Sequence, residues 1–193
     1  MGPGQGLHGT AVIFSESCVL ITGTSGSGKS ALALALLALA KATRRFAALV
    51  GDDRVWVRAA EGRIVAFGAP QMAGLIERRA AGVQSAPSEP AAVVSLVVAL
   101  SGRNHSWPRW PDEPDACVVE GITLPRLALN SAVSAVDSAI SVDERLTLIS
   151  SRRAGRNGNS LEQCNAVHKN RLVAASSTAS ATPKAMAGVM DIR

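Results

Sequence analysis

Cys18-Val19-Leu20-Ile21-Thr22 is followed by Gly23-Thr24-Ser25-Gly26-Ser27-Gly28-Lys29-Ser30, and then by an Ala/Leu run that ends at Lys41. The first segment has the composition of a buried strand, and the last is made of strong helix formers. The middle segment satisfies G-x-x-x-x-G-K-[ST] at every position. Glycines there let consecutive backbone N–H groups turn inward around phosphate oxygens, and the helix that follows adds its positive N-terminal end. In this pattern Lys29 reaches the outer phosphates and the Ser30 hydroxyl ligates Mg²⁺. The bare pattern also arises in glycine-rich connections, but such a connection has no use for Lys29. A strand before the loop and a helix after it are what the mechanism requires. The run from Ser30 to Lys41 is apolar almost all round, so it is expected to lie buried against a sheet.

Working outward, Thr10 to Phe14 is a second short apolar run, and a turn at Ser15 to Ser17 joins it to Cys18–Thr22 as a hairpin. Phe46 to Val50 is a buried-type strand that ends at Gly51-Asp52-Asp53. A strand ending in an acid is how P-loop proteins bring a carboxylate to the metal. Adjacent acids on extended backbone point to opposite sides, so Asp52 and Asp53 are given different jobs: one for Mg²⁺, the other for an incoming hydroxyl. The competing reading is a solvated Asp-Asp turn. Arg54–Arg58 and Arg63–Phe67 flank a Glu61-Gly62 turn as a further hairpin, Gly68 to Gly74 is a loop, and Gln84–Pro90 reads as a Pro/Ser linker. Ala91 to Leu100 suits a central strand. Arg103–Asp115, with three prolines, reads as a surface loop, Cys117–Glu120 and Ile122–Leu129 as weaker strands, and Ser131–Ile149 as one or two short helices. The expected fold is α/β, a mixed sheet around a P-loop with antiparallel additions.

Composition narrows the function classes. The 193 residues are 47% hydrophobic and 18% charged, which is enough to bury a core and excludes wholesale disorder. The net charge of +5 is not spread along the chain. Residues 1–150 hold 13 basic and 13 acidic side chains, whereas residues 151–193 hold 7 and 2. The globular part therefore has no basic bias, which removes the case for nucleic acid as a partner. The longest apolar run, Ala31–Ala40, is about half of the roughly 20 residues a membrane span needs. Met1–Gly9 has neither the basic start nor the apolar stretch of a secretory signal. Cys18, Cys117 and Cys164 are odd in number and form no CxxC, as expected in a reducing cytoplasm. Three segments are expected: a catalytic domain over 1–130, a short helical extension over 131–150, and a basic, disordered tail over 151–193.

His8 would ordinarily be read as a surface residue before the first strand, and Glu77 as part of a solvated helix face. Taken together, though, His8-Gly9, the Gly23–Ser30 loop, Asp52-Asp53-Arg54-Val55 and Gly74-Leu75-Ile76-Glu77-Arg78-Arg79 resemble the catalytic domain of HPr kinase/phosphorylase, in that family's order. The resemblance covers roughly Leu7 to Leu129 and is nearest to the short proteobacterial form. It implies a serine kinase that uses ATP and Mg²⁺, acts on an HPr-like phosphocarrier protein of the sugar phosphotransferase system, and can run in reverse by phosphorolysis; a homo-oligomer is left open.

By this resemblance the loop Gly23, Thr24, Ser25, Gly26, Ser27, Gly28, Lys29 and Ser30 holds the nucleotide, with Lys29 on the phosphates. Ser30, Asp52 and Glu77 serve the metal, and Asp53 is the general base. His8 helps position the reacting phosphate, Arg79 matches an arginine of the Glu77 segment, and Arg109 matches a further active-site arginine. Two departures bear on activity. Ala80 replaces a glycine, and Leu124-Pro125-Arg126-Leu127 stands where the motif tied to dephosphorylation is expected, so kinase activity carries over better than phosphorylase activity. The alternatives are a small-molecule P-loop kinase or nucleotide hydrolase, which needs an arginine-rich lid, and a nucleotide-sensing module, which does not need Asp53.

Overall fold

The computed structural model describes residues 4–102, 116–152 and 154. Arg109 and the expected Arg103–Asp115 loop lie outside the described residues, as do Cys164 and nearly all of the tail. A first compact unit spans Met1–Leu148. In the second, Ile149–Arg193, the described residues 149–152 and 154 are helical.

Strand β1 (Gln5–Phe14) turns at Ser15 into β2 (Ser17–Gly23), which feeds the Gly23–Gly28 loop and helix α1 (Lys29–Ala42). After α1 come β3 (Ala47–Gly51), β4 (Arg54–Ala60), β5 (Arg63–Gly68), the short strands β6 (Leu75–Arg78) and β7 (Gly82–Ser85), then β8 (Ala91–Leu100), β9 (Ala116–Val119) and β10 (Ile122–Leu129). A further helix begins at residue 135 and includes residues 135–148 of the first unit. Ser134 caps its start: the Ser134 Oγ accepts from the Asp137 N–H at 3.1 Å and donates to Asp137 Oδ2 at 2.7 Å. The expected α/β mixed sheet is observed. No described helix is long and apolar enough to cross a membrane.

Pairings run β2–β1–β4–β5–β8 and return from β8 to β2, so the sheet closes on itself. β2–β8 and β8–β10 are parallel and the other pairings antiparallel. Strand β1 does two jobs. Its second half pairs with β2 and β3, and its first half, Gln5 to His8, pairs with β4. Inward-facing Ala11, Leu20, Val50, Val55, Val57, Ile64, Ala66 and Val94 build an aliphatic core. α1 buries Leu32, Ala33, Leu36 and Ala40, while Ala31 and Ala38 stay exposed, so it is covered on one side rather than all round. That uncovered side forms a wall of the main cavity.

Three expectations change. His8 lies inside β1, not ahead of the first strand. Glu77 lies on β6 of a β6–β7 hairpin, not on a helix. The Gln84–Pro90 segment is no free linker: Leu49 N–H donates to Pro87 O at 2.7 Å and Glu89 N–H donates to Leu49 O at 2.9 Å, which docks it along β3.

Candidate active site

The Gly23–Gly28 loop runs from the end of β2 into the start of α1. Gly23, Gly26 and Gly28 adopt φ values of 149°, 76° and 97°, in the region that side chains disfavour. At Gly23 the constraint is also steric, because an added Cβ would lie 2.6 Å from Leu100 O. No acidic residue occupies the first turn of α1, so its positive end stays available to an anion.

Lys29 is only 6% exposed. Its Nζ donates to Gly23 O at 3.1 Å, Thr24 O at 3.0 Å and His8 Nε2 at 3.1 Å. Burial pulls the Lys29 pKa below its ordinary value, against the opposing pull of Asp53 and Asp52. Since an ammonium can only donate, Nε2 of His8 is the acceptor and Nδ1 carries the proton. That N–H faces Asp53 twice, with the backbone oxygen at 3.0 Å and Oδ1 at 3.1 Å. Lys29, His8 and Asp53 thus form one hydrogen-bonded chain.

Asp52 and Asp53 do diverge, but not because the backbone is extended. Arg54 N–H donates to Asp52 O at 2.7 Å across a three-residue turn with Asp53 at its apex, where φ is 64°. This positive-φ turn is uncommon and strained, and Asp tolerates it better than most residues. Gly9 N–H donates to Asp53 O at 3.2 Å and helps hold the turn. The Asp53 side chain is 83% exposed. Asp52 turns the other way: its Oδ1 accepts from Thr10 Oγ1 at 2.6 Å and Ser30 Oγ at 2.9 Å, and its Oδ2 accepts from Glu77 N–H at 3.2 Å.

His8, Lys29, Ser30, Asp52, Asp53 and Glu77 line a cavity of about 890 Å³ together with Arg78, Arg79 and the Ala/Leu face of α1. An added Cβ at Gly26 would meet the Arg79 guanidinium at 3.5 Å, so Arg79 stands over the loop. The structure therefore gathers His8, Lys29, Ser30, Asp52, Asp53, Glu77 and Arg79. Among the described residues no three His, Cys, Asp or Glu side chains cluster as a metal cage. The Ser30–Asp52 pair nonetheless suits Mg²⁺, which takes one or two protein oxygens and fills its shell with phosphate and water. Thr10 was missed from the sequence. A Thr inside an apolar strand, here fully buried, needs a polar partner, and that was the available signal.

No family model matches the chain. A Limosilactobacillus reuteri protein named HPr kinase/phosphorylase is 32% identical over 139 residues, covering 67% of this chain and 42% of the relative. One of the same name from Clostridium tetani is 35% identical over 88 residues, covering 46% and 27%. The chain thus spans less than half the length of these curated relatives. The solved structure of the Hpr(Ser) kinase/phosphatase from Coxiella burnetii shares the fold, with a TM-score of 0.60 at 21% identity over 75% of this chain and 98% of that one. These relatives bear out the resemblance to an HPr kinase catalytic domain.

Proposed function

We propose that this chain is a serine kinase of the HPr kinase/phosphorylase type, which transfers the γ-phosphoryl group of ATP to a serine hydroxyl of an HPr-like phosphocarrier protein. A cytoplasmic location is part of the same proposal. The observation that carries it is the Lys29–His8–Asp53 chain, which joins a phosphate-binding lysine to an exposed carboxylate inside one cavity.

Phosphates would bind the N–H groups of the Gly23–Gly28 loop and the start of α1. Lys29 would exchange its bonds to Gly23 O and Thr24 O for phosphate oxygens, acceptors of higher charge. His8 holds Oδ1 of Asp53, a largely exposed side chain, and Oδ2 would accept the hydroxyl proton. As that proton leaves, the serine oxygen forms its bond to the γ-phosphorus and the bond to ADP breaks. Ser30 and Asp52 would hold Mg²⁺, which when bound offsets phosphate charge. Transfer of this kind depends chiefly on positioning and electrostatics, so these groups suffice.

Incubation with γ-labelled ATP, with and without an HPr-like protein, tests the reading. Label on the protein is expected, lost in Lys29→Ala and reduced about 10²–10⁴-fold in Asp53→Asn with nucleotide binding retained. Label on a small molecule, or release of phosphate only, would point to a small-molecule kinase or hydrolase. Binding without any turnover would point to a sensor.

A further inference from the structure

Ser27 lies within the glycine loop and is only 5% exposed. Its Oγ is buried and has no hydrogen-bond partner among the described residues, which makes it a costly orphan donor. The atom sits against Gly23, 2.8 Å from where a Cβ would be, and the Ser27 N–H donates to Thr24 O at 3.2 Å. The side chain is therefore packed against the backbone that opens the loop.

Spacing gives this hydroxyl two natural acceptors. A serine or threonine hydroxyl bonds back to the carbonyls three or four residues earlier. On the helices of this chain that bond is made: Thr43 Oγ1 donates to Leu39 O at 2.8 Å and Ala40 O at 3.3 Å, Ser141 Oγ to Asp137 O at 3.1 Å, and Thr147 Oγ1 to Asp143 O at 3.0 Å. For Ser27 the corresponding carbonyls are those of Thr24 and Gly23, and its N–H already closes the turn back to Thr24. Both carbonyls accept from Lys29 Nζ, at 3.0 Å and 3.1 Å. The lysine, a charged and stronger donor, holds the acceptors that the serine would use.

An ammonium has three N–H groups, and all three are in use, on Gly23 O, Thr24 O and His8 Nε2. Lys29 cannot donate to a phosphate without letting one of these go, and a deserted carbonyl costs free energy unless another donor reaches it. We infer that Ser27 is a positioning residue: its hydroxyl takes over the loop carbonyl that Lys29 gives up when the lysine turns to phosphate. The exchange satisfies an orphan donor and a deserted acceptor together, and so favours the phosphate-bound loop. The inference rests on the kinase reading above, in which the loop holds the nucleotide.

The test uses the full chain and needs no acceptor protein. Titration with ATP and Mg²⁺ gives Kd, and thermal unfolding without nucleotide gives Tm. Ser27→Ala should raise the ATP Kd about fivefold to tenfold, the effect of one hydrogen bond, yet melt with wild type or slightly above it. A merely structural hydroxyl would lower Tm instead. Ser101→Ala removes another buried hydroxyl without a partner among the described residues, just beyond β8, and should leave Kd unchanged. In Lys29→Met both carbonyls have lost the lysine, so Ser27 is already engaged, and adding Ser27→Ala should lower Tm by about 2–4 °C. Unchanged ATP Kd in Ser27→Ala, an equal rise in Ser101→Ala, or a Tm loss for Ser27→Ala that is the same with and without Lys29 overturns the inference while the kinase reading stands. Failure of wild type to bind ATP overturns both.

Discussion

Removing one hydroxyl at Thr10 should reveal how Asp52 is held. Thr10 is fully buried, and its Oγ1 donates to Asp52 Oδ1 at 2.6 Å, the shortest of the three bonds that fix this carboxylate. Thr10→Val keeps the shape and deletes the donor. A hydrogen bond to a charged group contributes about 1.5–3 kcal/mol. Here Ser30 and the Glu77 N–H continue to serve Asp52, and valine gains some apolar burial, so a net loss of about 1–2 kcal/mol is expected. For a unit of this size that lowers Tm by about 3–6 °C. Thr10→Ser, which keeps the donor and loses only a methyl group, serves as control. Thermal and urea unfolding of both variants, crossed with Asp52→Asn, would measure the coupling. Thr10→Val melting with wild type, or no coupling to Asp52→Asn, would refute the tethered carboxylate.

Other expectations follow from contacts elsewhere. Arg45 forms a bidentate pair with Asp143 at 2.7 Å and lies 4.4 Å over the Phe14 ring, so Arg45→Ala should cost about 1–2 kcal/mol in urea unfolding, and Arg45→Lys should recover less than half of it. Ala80 holds φ at 64°, where an L side chain costs about 1–2 kcal/mol, so Ala80→Gly should stabilise the fold by about 0.5–1 kcal/mol after glycine's entropy is subtracted. Because burial lowers the Lys29 pKa below 10.5, the unfolded chain binds more protons between the two values, and stability should rise with pH across that window. Subtracting the pH–stability profile of Lys29→Met from that of wild type should isolate this rise, and a flat difference would refute it.

The strand–loop–helix at the site was legible because its signals are local: an apolar run, a glycine pattern and an Ala/Leu run in uninterrupted succession. The Glu61-Gly62 turn was legible for the same reason; both residues take positive φ in a two-residue hairpin loop. The place of His8 in β1 was not. Gln5-Gly6-Leu7-His8 has no β-branched residue, and this stretch becomes strand by pairing with β4, nearly fifty residues away. At four residues, β6 is too short for a period to show, so Glu77 was legible only through family resemblance. The divergence of Asp52 and Asp53 was expected for the wrong reason, since a strained turn, not an extended strand, separates them. The Arg45–Asp143 clamp spans 98 positions and leaves no sequence signal.

Strand β2 has a nearby neighbour on one edge and a distant one on the other. β1 reaches it through a two-residue turn, but β8 comes from 76 positions further along the chain. Closing so long a loop is slow, and an isolated hairpin is marginal in water. Until β8 arrives, β2 is a bare edge and the glycine loop hangs from a frayed ribbon. If the loop holds nucleotide as proposed, the ligand needs the finished loop and can engage only at the end of folding. It should act as a brake on unfolding and leave the refolding rate almost untouched.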